Sequence, residues 1–113
     1  VQKNRYALAK AFAAENGVTL VLKDSVTLIA SPDGRLAVHS NENSGLAKGG
    51  SGDTLAGIIA SLCAQGYAPA QAAAVGVYLH GAAAANTASR LSKHSMLASD
   101  VIDDLAFAFK KIE

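Results

Sequence analysis
SGLAKGGSGDTLAGII, residues 44–59, is the stretch on which the reading of this chain turns. Gly49, Gly50 and Gly52 stand just before an acid, Asp53. Leu55, Ile58, Ile59 and Leu62 then recur at i, i+3, i+4 and i+7, the spacing of one helix face. The stretch reads as a loop that delivers backbone amides and one carboxylate at a helix N-terminus. The first amides of a helix lack intrahelical acceptors and the dipole is positive there, so such a place binds anions. The glycines let the backbone approach a ligand without Cβ contact.

Two common phosphate loops are excluded by spelling. A Walker A loop needs Lys directly after its last Gly, and Ser51 follows Gly50. The dinucleotide fingerprint needs a third Gly at position 55, which is Leu55. Lys48 precedes the glycines and reads as an exposed loop lysine. What remains is an anion hole from the amides of residues 50–53, with Asp53 placed to orient a hydroxyl and take its proton late. The plain alternative is a polar loop followed by an ordinary helix-starting acid.

On the C-terminal side, helix is expected from about Gly52 to Gln65, with Gly66 as its stop. Pro69 opens a second helix running to about Ser92. Ala72, Ala73, Val75, Val77, Leu79, Ala82, Ala83 and Ala84 leave it little polar surface, so it is expected to be buried, with small residues that admit a neighbouring backbone. His80 reads as a core histidine. Ser99 is the expected N-cap of one last helix, with Asp103/Asp104 and Lys110/Lys111 as solvated charges near its ends.

On the N-terminal side, residues 3–16 read as a helix with Tyr6, Leu8, Ala9, Phe12 and Ala13 on its apolar side and Gly17 as its stop. Residues 18–23 and 26–30 are expected strands, and SPDG (31–34) turns the second into a third at 35–39. The order is one helix, three strands, three helices.

The chain has 113 residues, 50% hydrophobic and 17% charged, with a net charge of +1, which suits one compact α/β domain with a buried core. The scattered Lys and Arg form no stripe for nucleic acid. No run approaches the ~20 apolar residues of a membrane span. Cys63 cannot pair internally and is expected to be a buried thiol, which fits a reducing, cytoplasmic setting. The three histidines show no metal-ligand spacing, so no protein-built metal site is expected. The chain starts without Met on a helical pattern, as a processed or truncated N-terminus would.

NSGLAKGGSGDTLAGIIASL (43–62) resembles the signature of the ribokinase-like superfamily, whose anion-hole loop ends in G-x-G-D. The nearest resemblance is to its ADP- or ATP-dependent NAD(P)H-hydrate dehydratases. VLKDSVTLIASPDG (21–34), GVYLHGAAA (76–84) and LASDVIDDL (97–105) look like further motifs of that branch, so the resemblance covers about residues 16–109. It implies a three-layer α/β sandwich of which 1–113 is the C-terminal portion of one domain, the N-terminal β/α units being absent. It implies that nucleotide phosphorylates the hydroxyl of hydrated NADH or NADPH (NADHX, NADPHX) and that loss of phosphate restores the cofactor. Asp53 would be the base beside the substrate. Gly49, Gly50, Ser51 and Gly52 would form the anion hole. Lys23, Asp24, Ser25, Val26 and Thr27 match the nucleotide-binding K-x-x-x-T stretch, with ADP or ATP as donor and Mg2+ held mainly by the nucleotide. Asp24 stands where the family usually has Gly, and Ala83-Ala84-Ala85 where it often reads A-G-D. A homo-oligomer, or a second chain supplying the missing half, is the expected partner. The alternatives are a ribokinase-like kinase of a thiazole or hydroxymethylpyrimidine alcohol, and a non-catalytic nucleotide-binding or oligomerisation lobe.

Overall fold
The structure, a computed structural model, describes residues 2–23, 26–40, 51–92 and 95–112. Helix α1 (Gln2–Asn16) leads into strands β1 (Leu20–Leu22), β2 (Val26–Ala30) and β3 (Leu36–Ser40). Helices α2 (Ser51–Ala64), α3 (Pro69–Arg90), α4 (Ala98–Asp103) and α5 (Leu105–Ile112) follow.

Glycine ends both α1 and α2 in the same way. Gly17 takes φ 61° and Gly66 φ 101°. The next residue then donates back into the helix: Val18 N–H to Ala13 O at 3.1 Å, Tyr67 N–H to Leu62 O at 3.1 Å. These bonds satisfy carbonyls that a helix end leaves unpaired.

The sheet runs β1-β2-β3 and is antiparallel throughout. The register pairs Leu22 with Leu28 and Thr27 with His39. Gly34, at φ 90°, closes the β2–β3 turn by donating to Ser31 O at 3.1 Å. Asp33 Oδ1 accepts the Arg35 N–H at 3.0 Å, the local bond that suits Asp to such a turn.

Strand residues alternate between faces, and β2 uses both. Ala30 packs with Ala9 and Ala13 of α1. Ile29, on the opposite face, packs with Leu55 of α2 and with Ala73 and Val77 of α3. The sheet is thus covered on both sides, as the three-layer expectation requires. A second cluster joins Ile58 and Leu62 of α2 to Leu79 and Ala83 of α3, Val101 of α4 and Ala108 of α5. Helices α2 and α3 approach closely at Gly76, where a Cβ would stand 2.6 Å from Ile59 Cγ1.

Several expectations are corrected. The first strand is shorter than residues 18–23, and the third ends at Ser40. The C-terminal helix is two helices, broken at Asp104, whose backbone stands at φ −92°, ψ 1°. The N-cap position of α4 is Leu97, not Ser99, and Asp100 Oδ2 accepts the Leu97 N–H at 2.8 Å. Asp104 is no solvated helix end. Its side chain is only 12% exposed and accepts from Thr87 Oγ1 and from Arg90 Nη2, the latter at 3.1 Å. Cys63 is exposed, because α2 is apolar nearly all round and buries the side carrying Leu55, Ile58 and Leu62. On α1, Ala9 and Ala13 are buried while Leu8 and Phe12 face outward.

Candidate functional site
Asp53 lies in the first turn of α2, exposed, beside the exposed Gly52. The helix starts at Ser51, so the amides of residues 51–53 belong to its first turn, where no intrahelical acceptor exists. A Cβ built on Gly52 meets no other group within 4 Å among the described residues, and its φ is not positive. Neither packing against the described residues nor backbone geometry requires glycine here. An open backbone at a helix N-terminus fits an approaching anion such as a nucleotide phosphate. Gly49 and Gly50, the rest of the expected anion hole, lie outside the described residues, as do Lys48, Asp24 and Ser25.

Lys23, Val26 and Thr27 are described. Thr27 is 5% exposed, and Val26 is half-buried at the start of β2. Lys23 stands one residue beyond the Leu22–Leu28 pair, in line with Thr27 across the hairpin. Thr27 is paired in turn with His39 of β3. By strand alternation Thr27 shares a face with Ile29, which meets α2 and α3. The row Lys23, Thr27, His39 therefore lies on the sheet face that carries Leu55, two residues after Asp53. The two halves of the expected site are brought to one side of the sheet.

Helix α3 closes that face. His80 is 3% exposed in its middle, and its pKa is pushed down to about 4, first by burial and then by the charge of Lys23. Burial also lowers the Lys23 pKa. A Cβ at Gly81 would stand 3.4 Å from His39 Nε2, so the β3 imidazole lies over the α3 backbone. Sequence reasoning placed His80 in the core correctly but left it and His39 out of the site. The usable signal was the strand register, which aligns position 39 with Thr27.

A cavity of about 360 Å³ lies between α2 and α4–α5. Asp53, Thr54, Gly57 and Ser61 line one side, and Ile102, Leu105 and Phe109 the other. Its wall is mostly apolar, and among the described residues Asp53 is the one carboxylate on it. Among the described residues no group of three or more His, Cys, Asp or Glu could hold a metal ion, and no helix is long and apolar enough to cross a membrane.

A family model described as NAD(P)H-hydrate dehydratase matches residues 1–106. This chain belongs to the NAD(P)H-hydrate dehydratase family. It is 40% identical over 113 residues to the ADP-dependent (S)-NAD(P)H-hydrate dehydratase of Bacillus subtilis, covering all of this chain and 41% of that protein. It is 51% identical over 84 residues to the enzyme of that name from Neisseria meningitidis, covering 74% of this chain and 28% of the relative. The crystal structure of the Bacillus subtilis ADP/ATP-dependent NAD(P)H-hydrate dehydratase co-crystallised with ATP/Mg2+ superimposes with a TM-score of 0.89. That match covers 99% of this chain and 40% of the other, at 40% identity. The NAD(P)H-hydrate dehydratase fold seen here thus spans less than half the length of these relatives.

Proposed function
We propose that this chain carries the nucleotide-binding and proton-accepting part of an ADP- or ATP-dependent NAD(P)H-hydrate dehydratase. The observation that carries the reading is Asp53 in the open first turn of α2, on the same sheet face as Lys23 and Thr27, in a chain of this family. Residues 1–113 are read as the C-terminal portion of one ribokinase-like domain, whose other β/α units come from further residues or from another chain. The substrate is hydrated NADH or NADPH. A cytoplasmic setting belongs to the same reading, because nucleotide and nicotinamide cofactor are intracellular metabolites.

The nucleotide supplies the phosphoryl group that turns the ring hydroxyl into a good leaving group. Residues 23–27 and the glycine loop through Gly52 hold it, with Mg2+ on its phosphates. The amides at the start of α2 stabilise negative charge without reorganising, because the helix fixes them. Asp53 accepts a hydrogen bond from the substrate hydroxyl and then its proton, as the oxygen becomes bonded to phosphorus. Loss of phosphate and of a ring proton restores the reduced cofactor.

The test incubates the protein with hydrated NADH and either ADP or ATP, following both NADH absorbance and released phosphate. Equal amounts of each support the reading. Phosphorylation of a small alcohol without restored NADH would replace it with the small-alcohol kinase. Nucleotide binding with no turnover would leave a binding lobe.

A further inference from the structure
We propose that the cavity between α2 and α4–α5 holds the hydrated nicotinamide ring of the substrate, with Gly57 as its floor. The proposal rests on the reading of Asp53 as the group that takes the substrate's hydroxyl proton. Asp53, Gly57 and Ser61 recur every four residues along α2, so they form one row about 12 Å long beside the cavity. Ile102, Leu105 and Phe109 face them. Gly57 is the informative member. It stands inside a helix, where glycine is less favourable than alanine. Its φ is not positive, and a Cβ there would meet nothing within 4 Å among the described residues. Gly76 of α3 has a packing reason to lack a side chain, and Gly57 has none among those residues. A bare backbone facing a cavity lets a flat group lie against the helix.

The cavity suits that ring. Its volume of about 360 Å³ and its mostly apolar wall with a few polar groups are those of a small-molecule site. Asp53 ends the row at the anion-binding first turn of α2, so a ring in the cavity brings its hydroxyl to the carboxylate and toward a phosphate held there. Ser61 Oγ accepts from Gln65 Nε2 at 3.1 Å, which leaves its proton for an acceptor such as the ring's carboxamide oxygen. Lys23, Thr27 and Gly52 of the nucleotide reading are not among the described lining residues, so ring and nucleotide approach Asp53 from different sides. The far wall is fixed from α3. Ile102 and Leu105 flank Asp104, whose carboxylate accepts from Thr87 Oγ1 and Arg90 Nη2. That wall is therefore set before a ligand arrives.

The experiment pairs melting temperatures with calorimetric titrations of hydrated NADH and, separately, of Mg2+-ATP. Gly57→Ala should melt about 4 °C above the wild type, because it gains helix propensity in open space. Gly57→Leu should fold at least as well as the wild type. It should bind hydrated NADH about tenfold or more weakly, with Mg2+-ATP affinity held within about threefold. Ile102→Trp fills the same space from the half-exposed opposite wall and should act alike. A Gly57→Ala protein that melts below the wild type would show that the fold itself needs glycine, and would overturn the proposal. Undiminished binding of hydrated NADH by Gly57→Leu and Ile102→Trp would overturn it too. Loss of Mg2+-ATP binding instead would overturn it by assigning the cavity to the nucleotide base. No binding of hydrated NADH by the wild type would overturn the substrate reading as well.

Discussion
At the residue scale, two side chains tie ionisation to folding. His80 has its pKa lowered from 6.5 to about 4 in the folded chain. The folded state resists a proton that the unfolded state accepts, so this contribution is complete above the unfolded value and is lost as pH falls through the folded one. Denaturant midpoints should therefore drop between about pH 6.5 and 4. His80→Gln should flatten that part of the profile.

Asp104 works on a more acidic window. The Thr87 hydroxyl is the main cause that lowers its pKa, with Arg90 adding to it. That hydroxyl also lies 2.9 Å from Ala83 O, but its one proton belongs to the stronger acceptor, the carboxylate. Stability from Asp104 is present above the ordinary carboxylate range and is lost as pH falls through its lowered value. Thr87→Val, close in shape, should cost about 1–2 kcal/mol in urea unfolding near neutral pH. A variant as stable as the wild type would show that the contact contributes nothing. The sequence put Asp104 on a helix end but could not show Thr87 and Arg90 arriving from another helix, because that contact depends on how α3 and α5 pack.

At the element scale, the α2–α3 contact leaves no room for a side chain at Gly76. Alanine at position 76 would gain about 0.8–1.0 kcal/mol of helix propensity over glycine. Its Cβ would stand 2.6 Å from Ile59 Cγ1 and 3.6 Å from Ile58 Cγ2, on stiff β-branched side chains. Overpacking of this kind costs about 1–3 kcal/mol, so the clash wins. Gly76→Ala should lower the melting temperature, and the loss on adding it should be smaller in an Ile59→Ala background, where Cγ1 is absent. A single variant that melts above the wild type would contradict the packing described.

The elements were largely legible because their ends are written in residues with one physical meaning. Gly17 and Gly66 stop helices, Pro69 starts one, and SPDG turns a hairpin. The break at Asp104 was not legible, since Val101, Leu105 and Ala108 keep helical spacing across it. Nor was the outward face of α2, because Ala56, Ala60 and Cys63 are as apolar in composition as the face it buries. The motif from Gly49 to Asp53 was readable as an anion site from its spelling. Its companion row of Lys23, Thr27 and His39 required the strand register.

At the scale of the whole molecule, exposed large apolar side chains include two on α1 and others on α4 and α5. Leu8 is 69% and Phe12 51% exposed on α1, and Ile102 and Phe107 are half-exposed on α4 and α5. Exposed large apolar side chains are common singly, but two one turn apart on one helix, in a chain covering 41% of a relative, fit a covering neighbour there. We propose that the remaining β/α units of the domain pack over α1. Phe12→Ser should then cost about 3–5 kcal/mol in a protein that contains those units. In residues 1–113 alone it should change stability by no more than about 0.5 kcal/mol. The same small effect in both would place the missing units elsewhere.

The central claim is that Asp53 accepts the hydroxyl proton while the nucleotide is held by other groups. It is tested most directly by Asp53→Asn, assayed with ATP and hydrated NADH beside a titration of ATP binding. The account predicts that restoration of NADH falls by about a hundredfold or more, while ATP affinity stays within about threefold of the wild type. Undiminished restoration of NADH by Asp53→Asn would contradict it.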